Sequence, residues 1–198
     1  MTKRILVAGL DGSFAHFGVA TAWLDLETLE LEPMEFKVIH TEKSKIKTVR
    51  SSSDNLRRAV ELKEGVHAKL VGVTTAFHEV PSGGQDYNAV LGFGIVIGIY
   101  AGLPVPAIEV SPGEAKMAAI GTRTGGKEDM KAWAQATYPN APWFRHERNG
   151  KGYAKGDLTN ANEHVADAMA IIGAGIKTPS FKQTLAILRQ NAQLLQAA

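Results

Sequence analysis

Four residues of this sequence have the types and positions needed to hold a metal ion. Asp11 follows the apolar run "RILVAGL", and Glu79 comes shortly after the apolar run "VGVTTAF". The later stretch "NEHVADAMA" carries His164 and Asp167 three residues apart, a spacing that places both side chains on one helical face. Carboxylates that share a site repel each other, and a divalent cation relieves that repulsion. Oxygen ligands of this kind suit Mg²⁺ or Mn²⁺.

Each of these residues also has a simpler interpretation. Asp11 is an ordinary residue for a turn, Glu79 fits a surface or capping position, and a single histidine such as His164 is usually structural. The metal site is therefore predicted from the four residues together, because a single fold would bring all of them to one sheet edge.

The surrounding pattern predicts an α/β fold that could bring these residues together. The run at 4–10 is typical of a strand buried on both faces, and two further strands follow it through short links. Later strands are separated by helical patterns, which indicates βαβ crossovers and a mixed five-stranded sheet with helices on both faces. Strands are predicted at 4–10, 18–26, 34–42, 71–77 and 106–112, and helices at 52–70, 86–101, 112–120, 127–138, 159–176 and 180–196. This is the plan of the ribonuclease H-like fold, and strands one and four lie side by side in it.

Composition places the chain among ordinary globular proteins. Its 198 residues suit a single domain spanning 1–198, 44% of them are hydrophobic, and the net charge of +2 neither indicates nor excludes a nucleic-acid partner. The absence of cysteine excludes disulfides and cysteine-ligated zinc, and it fits a cytoplasmic protein. The apolar stretch 89–105 is short for a membrane span and rich in glycine, so we expect a buried helix and no membrane role.

Four segments, in this order, resemble the RuvC-type Holliday junction resolvases of the ribonuclease H-like superfamily. They are "ILVAGLDGSFAHFGVA", "TAFHEV", "VSPGEAKMAAIGTRTGGKEDM" and "EHVADAMAI", and the similarity covers most of the chain. Asp11 and Glu79 match the family's acids on strands one and four. Asp167 matches the second acid of the late helix, and His164 stands where the first acid is usual, as it does in some members. Lys116 and Lys127 match the two lysines that flank a glycine turn.

The resemblance implies a homodimeric, metal-dependent endonuclease that resolves four-way DNA junctions by paired nicks. Two Mg²⁺ ions, for which Mn²⁺ substitutes, would be held by the two strand acids and the two late-helix residues, and no nucleotide cofactor is implied. Lys116 and Lys127 would contact phosphates or transition-state charge, although they also fit solvated lysines. Arg123, in the same segment, is predicted to contact DNA. The helix at 86–101 could pack on its own sheet or on a second subunit.

Two features depart from the family pattern. Ser82 stands where the family has an aromatic residue thought to act at the junction crossover. The irregular stretch 138–158 is longer than usual, and it interleaves Arg145, Arg148, Lys151 and Lys155 with Trp143, Phe144 and Tyr153. Basic residues mixed with aromatics suit branched or single-stranded DNA, although a solvated loop pinned to the core by Trp143 has the same pattern. Such an insertion also fits a bacteriophage resolvase.

Other functions compete with junction resolution. A ribonuclease H-like enzyme acting on flaps, forks or RNA–DNA hybrids would have the same residues, and a non-catalytic scaffold would have kept the fold but lost its metals. An actin-like ATPase needs a second related domain, for which 198 residues are too few. A Rossmann dehydrogenase is disfavoured because "GLDGSFAHFG" lacks the G-x-G-x-x-G pattern.

Overall fold

A computed structural model of the chain describes residues 4–81, 83 and 86–197, and it contains a mixed five-stranded sheet. The strands are β1 (Arg4–Asp11), β2 (His16–Asp25), β3 (Leu31–His40), β4 (Thr75–His78) and β5 (Ala107–Glu109). Their order across the sheet is β3-β2-β1-β4-β5. Pairs β1–β2 and β2–β3 are antiparallel, whereas β1–β4 and β4–β5 are parallel. The predicted ribonuclease H-like arrangement is confirmed.

Helices cover both faces of the sheet. They are α1 (Ser51–Lys69), α2 (Tyr87–Ala101), α3 (Pro112–Ile120), α4 (Lys127–Thr137), α5 (Asn162–Gly175) and α6 (Pro179–Ala197). One apolar core joins the sheet to α1 and α2, and a second joins it to α3, α4, α5 and α6. None of the helices in the described part of the chain is long and apolar enough to cross a membrane.

The central strand β1 is buried on both faces, as its apolar run predicts. Ala8 and Leu10 belong to the core beneath α1 and α2, and Val7 belongs to the core beneath α5. Side chains alternate along a strand, so Gly9 and Asp11 lie on the α5 face with Val7. This alternation decides which helix can reach Asp11.

Several predicted boundaries need correction. Strand β4 begins only at Thr75, because residues 70–72 form a turn, and β5 covers just 107–109. Strand β3 starts earlier than predicted, at Leu31. The sequence pattern of α1 predicts an apolar stripe that includes Leu56, Val60, Leu62 and Val66, but only Leu62 and Val66 are buried, whereas Leu56 and Val60 are 66% and 43% exposed.

Helix α2 buries one face on its own sheet and leaves the other exposed. Val96, Ile99 and Tyr100 lie in the core, while Val90 and Ile97 are exposed. Burial on its own sheet, one of the two predicted roles, is therefore confirmed for the inward face. Ser82, at the position of the family's aromatic residue, lies outside the described residues.

The stretch 138–158 is more ordered than an irregular loop. Bridges pair Arg145 with Leu158 and Gly150 with Tyr153, so residues 145–158 form a hairpin, which we call the hairpin below. Trp143 is buried, lies 4.9 Å from the Phe36 ring, and donates its indole N–H to the Tyr138 carbonyl at 2.9 Å. The predicted pinning of this stretch to the core by Trp143 is confirmed.

Candidate active site

The two strand acids lie side by side at one edge of the sheet. Strands β1 and β4 are parallel neighbours, and Leu10 pairs with His78 in their register. The residue after Leu10 is Asp11, and the residue after His78 is Glu79. The sheet topology alone therefore brings these carboxylates together, as predicted.

Two glycines let α5 lie directly on the sheet next to Asp11. A Cβ on Gly9 would stand 2.0 Å from the Ala168 carbonyl oxygen, and one on Gly18 would stand 2.6 Å from the His164 carbonyl oxygen. Gly18 is the antiparallel partner of Asp11. Because no side chain intervenes at these positions, the first turns of α5 approach the end of β1 closely.

This approach brings His164 into contact with Asp11. The His164 Nδ1 atom lies 3.1 Å from Asp11 Oδ2, and both side chains are only about one quarter exposed, at 24% and 28%. The hydrogen bond to Asp11 raises the pKa of His164, with further support from the charges of Glu163 and Asp167, against the opposing effect of burial. The contact favours an imidazolium paired with a carboxylate.

Near neutral pH, burial and mutual repulsion keep the carboxyl groups of Asp167 and Glu79 partly protonated. The pKa of Asp167 is raised to about 7, first by burial and then by the charges of Asp11, Glu163 and Glu79. The pKa of Glu79 is also raised to about 7, by burial and by Asp11, although Lys116 opposes the shift. Burial and the repulsion among these acids outweigh the opposing effects of the nearby Lys116 and His164.

The donor set suits a hard divalent cation, but the side chains are not arranged as a closed metal site. Three carboxylates and an imidazole lie around this end of the sheet, and the carboxyl pKa values are raised first by burial and then by a mutual repulsion that a cation would relieve. Within residues 4–81, 83 and 86–197, no three His, Asp or Glu side chains lie close enough to hold one ion. Metal binding at these four residues stays a prediction.

Thermal stability of the metal-free protein should fall as pH rises from about 5.5 to 8. Between the ordinary carboxyl pKa and about 7, Asp167 and Glu79 bind more protons in the folded state than in the unfolded state, so stability decreases with pH in this window. His164 acts in the same direction, because its raised pKa gives stability that is lost at higher pH, whereas the lowered pKa values of His16 and His78 oppose the trend and are outweighed by the two carboxyl groups and His164 together. Melting curves in EDTA test this, and a melting temperature that increased over the range would contradict the assigned shifts.

Both predicted lysines act on the same group of acids. Lys116 lies on α3, half-buried, and its charge lowers the pKa of Glu79. Lys127, at the start of α4, forms an ion pair with Glu163, and its pKa is raised by Glu163, Asp167 and Asp11. The two cations therefore lie at the border of the site.

The other predicted DNA-binding residues lie apart from the acids. Arg148, Lys151 and Lys155 are exposed on the hairpin, whereas Arg145 donates from Nη1 to the Gly156 carbonyl at 2.8 Å and helps to close it. The hairpin connects to the site through Asn162. This fully buried residue bonds the Phe144 N–H and carbonyl, both at 2.8 Å, at the start of α5.

Arg123 is not brought to the acids. Its side chain packs near Gly113 and lines a cavity with Ala174 and Lys177, near the C-terminal end of α5. His164 lies in the first turn of the same helix, at its opposite end. A direct role for Arg123 at the candidate active site is therefore not supported, and its contact with DNA stays a prediction.

A row of imidazoles next to the site was missed in the sequence. The His16 ring is stacked with His164 at 5.4 Å, and the His40 ring lies 4.5 Å from His16 on the other side. Burial, together with the charges of His40 and His164, lowers the pKa of His16. The signal was the β2–β3 pairing, which places the first residue of β2 opposite the last residue of β3.

Comparisons with known proteins found similarity in structure alone. No protein-family model matches the chain, and no curated protein matches it in sequence. A solved structure of T. thermophilus RuvC in complex with a Holliday junction substrate is similar, with a TM-score of 0.61, 17% identity, and coverage of 86% of this chain and 92% of that one. A second Thermus thermophilus RuvC structure has a TM-score of 0.53 and 18% identity at the same coverage.

These similarities cover most of both chains. At 17% and 18% identity, the similarities show the fold alone. The chemistry of the site has to be argued from the residues described above. The chain has the RuvC-type form of the ribonuclease H-like fold.

Proposed function

We propose that this protein is a metal-dependent, structure-specific endodeoxyribonuclease that resolves four-way DNA junctions by paired nicks. The observation that carries the proposal is the convergence of Asp11, Glu79, His164 and Asp167 at one end of β1 and β4. A turn residue, a surface acid and a structural histidine would have no reason to lie around the same half-buried end of two neighbouring strands. The RuvC-type fold supports DNA as the substrate.

Asp11, Glu79 and Asp167 are the proposed ligands of Mg²⁺, for which Mn²⁺ would substitute, with His164 as a further candidate ligand. Two such ions, when bound, would supply Lewis-acid activation of the attacking water and stabilisation of the leaving oxygen. Asp167 and Glu79 would hold a cation as carboxylates, so its binding would release the protons that burial and repulsion retain on them at pKa values of about 7.

The chain's other polar residues have separate proposed tasks. His164 orients the Asp11 carboxylate through its Nδ1 contact and is placed to position the water or the leaving group. Lys116 and Lys127 add positive charge at the border of the site, where they would hold the phosphate and stabilise charge that develops during cleavage. These residues would act on a phosphodiester in any DNA. They therefore account for the proposed cleavage reaction but not for a preference for branched DNA.

Paired nicking needs two sites, and a homodimer would supply them. Helices α1 and α2 carry exposed apolar residues, including Leu56, Val60 and Ile97, on the side that is not buried against the sheet. Leu56 and Val60 also border a groove of about 260 Å³ between the two helices. This face supports the proposal of a dimer surface, because exposed apolar patches commonly mark protein interfaces.

The hairpin is the proposed contact for a DNA arm near the site. Replacing Arg148, Lys151 and Lys155 together by glutamine should weaken junction binding and reduce the salt dependence of log Kd by about 2 to 3, since each lost phosphate contact contributes roughly 0.9. The three side chains are exposed and the core is untouched, so the melting temperature should stay unchanged. Filter binding over a salt series tests this, and an unchanged salt slope would contradict a DNA role for the hairpin.

A second candidate function is cleavage of other branched DNA, such as flaps and forks, or of RNA–DNA hybrids. The observation that favours it is the mixture of exposed cations with Tyr153, which is 42% exposed, on a hairpin that any single-stranded branch could contact. The two other aromatics of the stretch are less available, because Trp143 is buried and Phe144 is half-buried.

A substrate panel distinguishes the candidates. Labelled mobile four-way junction, linear duplex, flap and RNA–DNA hybrid should each be incubated with the protein in Mg²⁺, and the cut positions mapped. The proposed function predicts symmetric paired nicks on the junction and little cutting of the duplex. Preferred cutting of flaps or hybrids would support the second candidate, and junction binding without cutting in Mg²⁺ or Mn²⁺ would support a scaffold.

A further inference from the structure

A second group of exposed cations lies between β3 and α1. Within residues 43–50, which we call the basic segment, Lys43, Lys45, Lys47 and Arg50 are all exposed. In the part of the chain that the structure describes, none of these four side chains forms an ion pair. Arg4, in contrast, is paired with Glu32 at 2.6 Å. The basic segment is therefore a concentration of positive charge that the protein itself does not neutralise.

Helix α1 holds the basic segment in place. The buried carboxylate of Asp54 accepts the Ser44 N–H at 2.9 Å, and Arg57 donates to the Glu42 carbonyl at 2.7 Å. Arg58, also buried, donates to Thr41 Oγ1 at 3.1 Å. These hydrogen bonds to charged side chains hold the basic segment in a fixed position, so its own charges are presented at defined places. Burying the charged groups of Asp54 and Arg58 costs free energy unless such hydrogen bonds are formed.

The same contacts place the basic segment next to the candidate active site. Thr41, which leads into it, donates its N–H to the Ala15 carbonyl at 3.0 Å and its hydroxyl to the Phe14 carbonyl at 2.7 Å. Phe14 and Ala15 follow closely after Asp11 in the chain. On the sheet, the His40 ring lies against the His16 ring, which in turn is stacked with the His164 ring.

The basic segment and the hairpin lie on opposite faces of the sheet. The hairpin is attached to the core shared with α5, through the Trp143–Phe36 contact, whereas the basic segment is attached to α1. The catalytic acids lie at the sheet edge between these two layers. A linear duplex on one face would contact one of the two cationic surfaces, and a branched molecule that spans the edge would contact both.

A cavity beside the basic segment combines two cationic side chains, Lys43 and Arg58, with polar and apolar ones. Its volume is about 650 Å³, and its walls include Lys43, Ser52, Asn55 and Asn88 and no carboxylate among the described residues. A cavity of about 530 Å³ near the start of β1 differs, since Asp25, Glu30 and Glu32 line it. Phosphates would be repelled from the acidic cavity and attracted to the one beside the basic segment.

We propose that the basic segment is a second DNA-contact surface, which binds the phosphate backbone of an arm other than the arm held by the hairpin. This inference rests on the proposed function, because it requires a branched DNA substrate. The recognition is electrostatic and carries no base sequence, so it selects the shape of the DNA through the separation of the two surfaces. An enzyme with both surfaces prefers branched over linear DNA even where its active site accepts either.

The first test replaces Lys43, Lys45 and Lys47 together by glutamine. The matched control replaces Lys37, Lys177 and Lys182, which are equally exposed but lie away from the basic segment. Binding of a four-way junction and of linear duplex is measured in EDTA over a salt series, so that catalysis plays no part. The triple change in the basic segment should weaken junction binding about tenfold or more and lower its salt slope by about 2 to 3, with a smaller effect on duplex and none on the melting temperature.

The second test identifies the arm. The chain has no cysteine, so Lys45→Cys, Arg148→Cys and the control Lys182→Cys each give a single attachment point for a photo-crosslinker. In the proposed homodimer each position occurs twice, so we expect Lys45→Cys to crosslink to one symmetry-related pair of arms and Arg148→Cys to the other pair, and Lys182→Cys to give no specific product. Crosslinking of both to the same pair of arms would overturn the inference.

The outcomes separate this inference from the proposed function. If the wild-type protein binds and cuts junctions but the basic-segment variant matches the control triple, the inference is wrong and the proposed function stands. If the wild-type protein does not prefer branched DNA at all, both fail.

Discussion

Replacing Asp167 by asparagine should nearly abolish DNA cleavage and, at the same time, stabilise the metal-free protein at pH 8. The ionised carboxylate is costly in the folded protein, because burial and the neighbouring acids raise its pKa to about 7. Asparagine removes that cost but cannot replace a charged oxygen ligand of Mg²⁺. Loss of a metal ligand removes several kcal/mol of transition-state stabilisation, which corresponds to about three powers of ten in rate.

Melting curves with and without Mg²⁺, together with junction cleavage, check both parts of this result. In EDTA at pH 8 the variant should melt above the wild type, and added Mg²⁺ should raise the melting temperature of the wild type more than that of the variant. Glu32→Gln is the control, since Glu32 is an acid paired with Arg4, at the opposite end of β1 from Asp11. A variant that lost stability without metal and kept its cleavage would show that Asp167 has a structural role.

Replacing Gly9 or Gly18 by alanine should displace α5 and cost both stability and activity. The added Cβ would meet backbone atoms of α5, the Ala168 oxygen at 2.0 Å and the His164 oxygen at 2.6 Å, and backbone cannot rotate away as a side chain can. Overpacking of this kind costs about 1–3 kcal/mol. In a chain of this length each kcal/mol lowers the melting temperature by roughly 2–4 °C.

The matched control is Gly173→Ala, in α5 itself, where an added Cβ would have no atom within 4 Å. This change should be neutral or stabilising, because alanine favours a helix over glycine by about 1 kcal/mol. Gly18→Ala should reduce cleavage more than its loss of stability explains, since it separates His164 from Asp11. Equal melting temperatures and equal cleavage for Gly18→Ala and Gly173→Ala would contradict the positioning role of Gly18.

The sheet and the meeting of the acids could be predicted because both depend on strand order. A continuous apolar run marks β1 as central, and parallel pairing with β4 follows from the crossover connections. Once those strands are neighbours, Asp11 and Glu79 must lie side by side. Helix α5 was predictable for a similar reason, since its apolar face and its polar first turn are both visible in the sequence.

The sequence was less informative where a residue's surroundings come from distant parts of the chain. Leu56 and Val60 fit a buried stripe, yet they lie on the outer side of α1 because the sheet is reached through Leu62 and Val66. Arg123 shares a segment with Lys116, but the turn after α3 directs it toward the far end of α5. The imidazole row of His16 and His40 depends on strand register, which a local pattern does not specify.

The most direct test of a catalytic metal site at the end of β1 compares the wild-type protein with Asp11→Asn on one labelled, mobile four-way junction. Junction binding is measured in EDTA, and cleavage is measured on the same samples after Mg²⁺ is added. The expected result is that both proteins bind the junction with similar affinity, while only the wild type makes paired symmetric nicks. Equal cleavage by both proteins would show that Asp11 holds no catalytic metal, and the absence of cleavage by either in Mg²⁺ or Mn²⁺ would contradict a nuclease function.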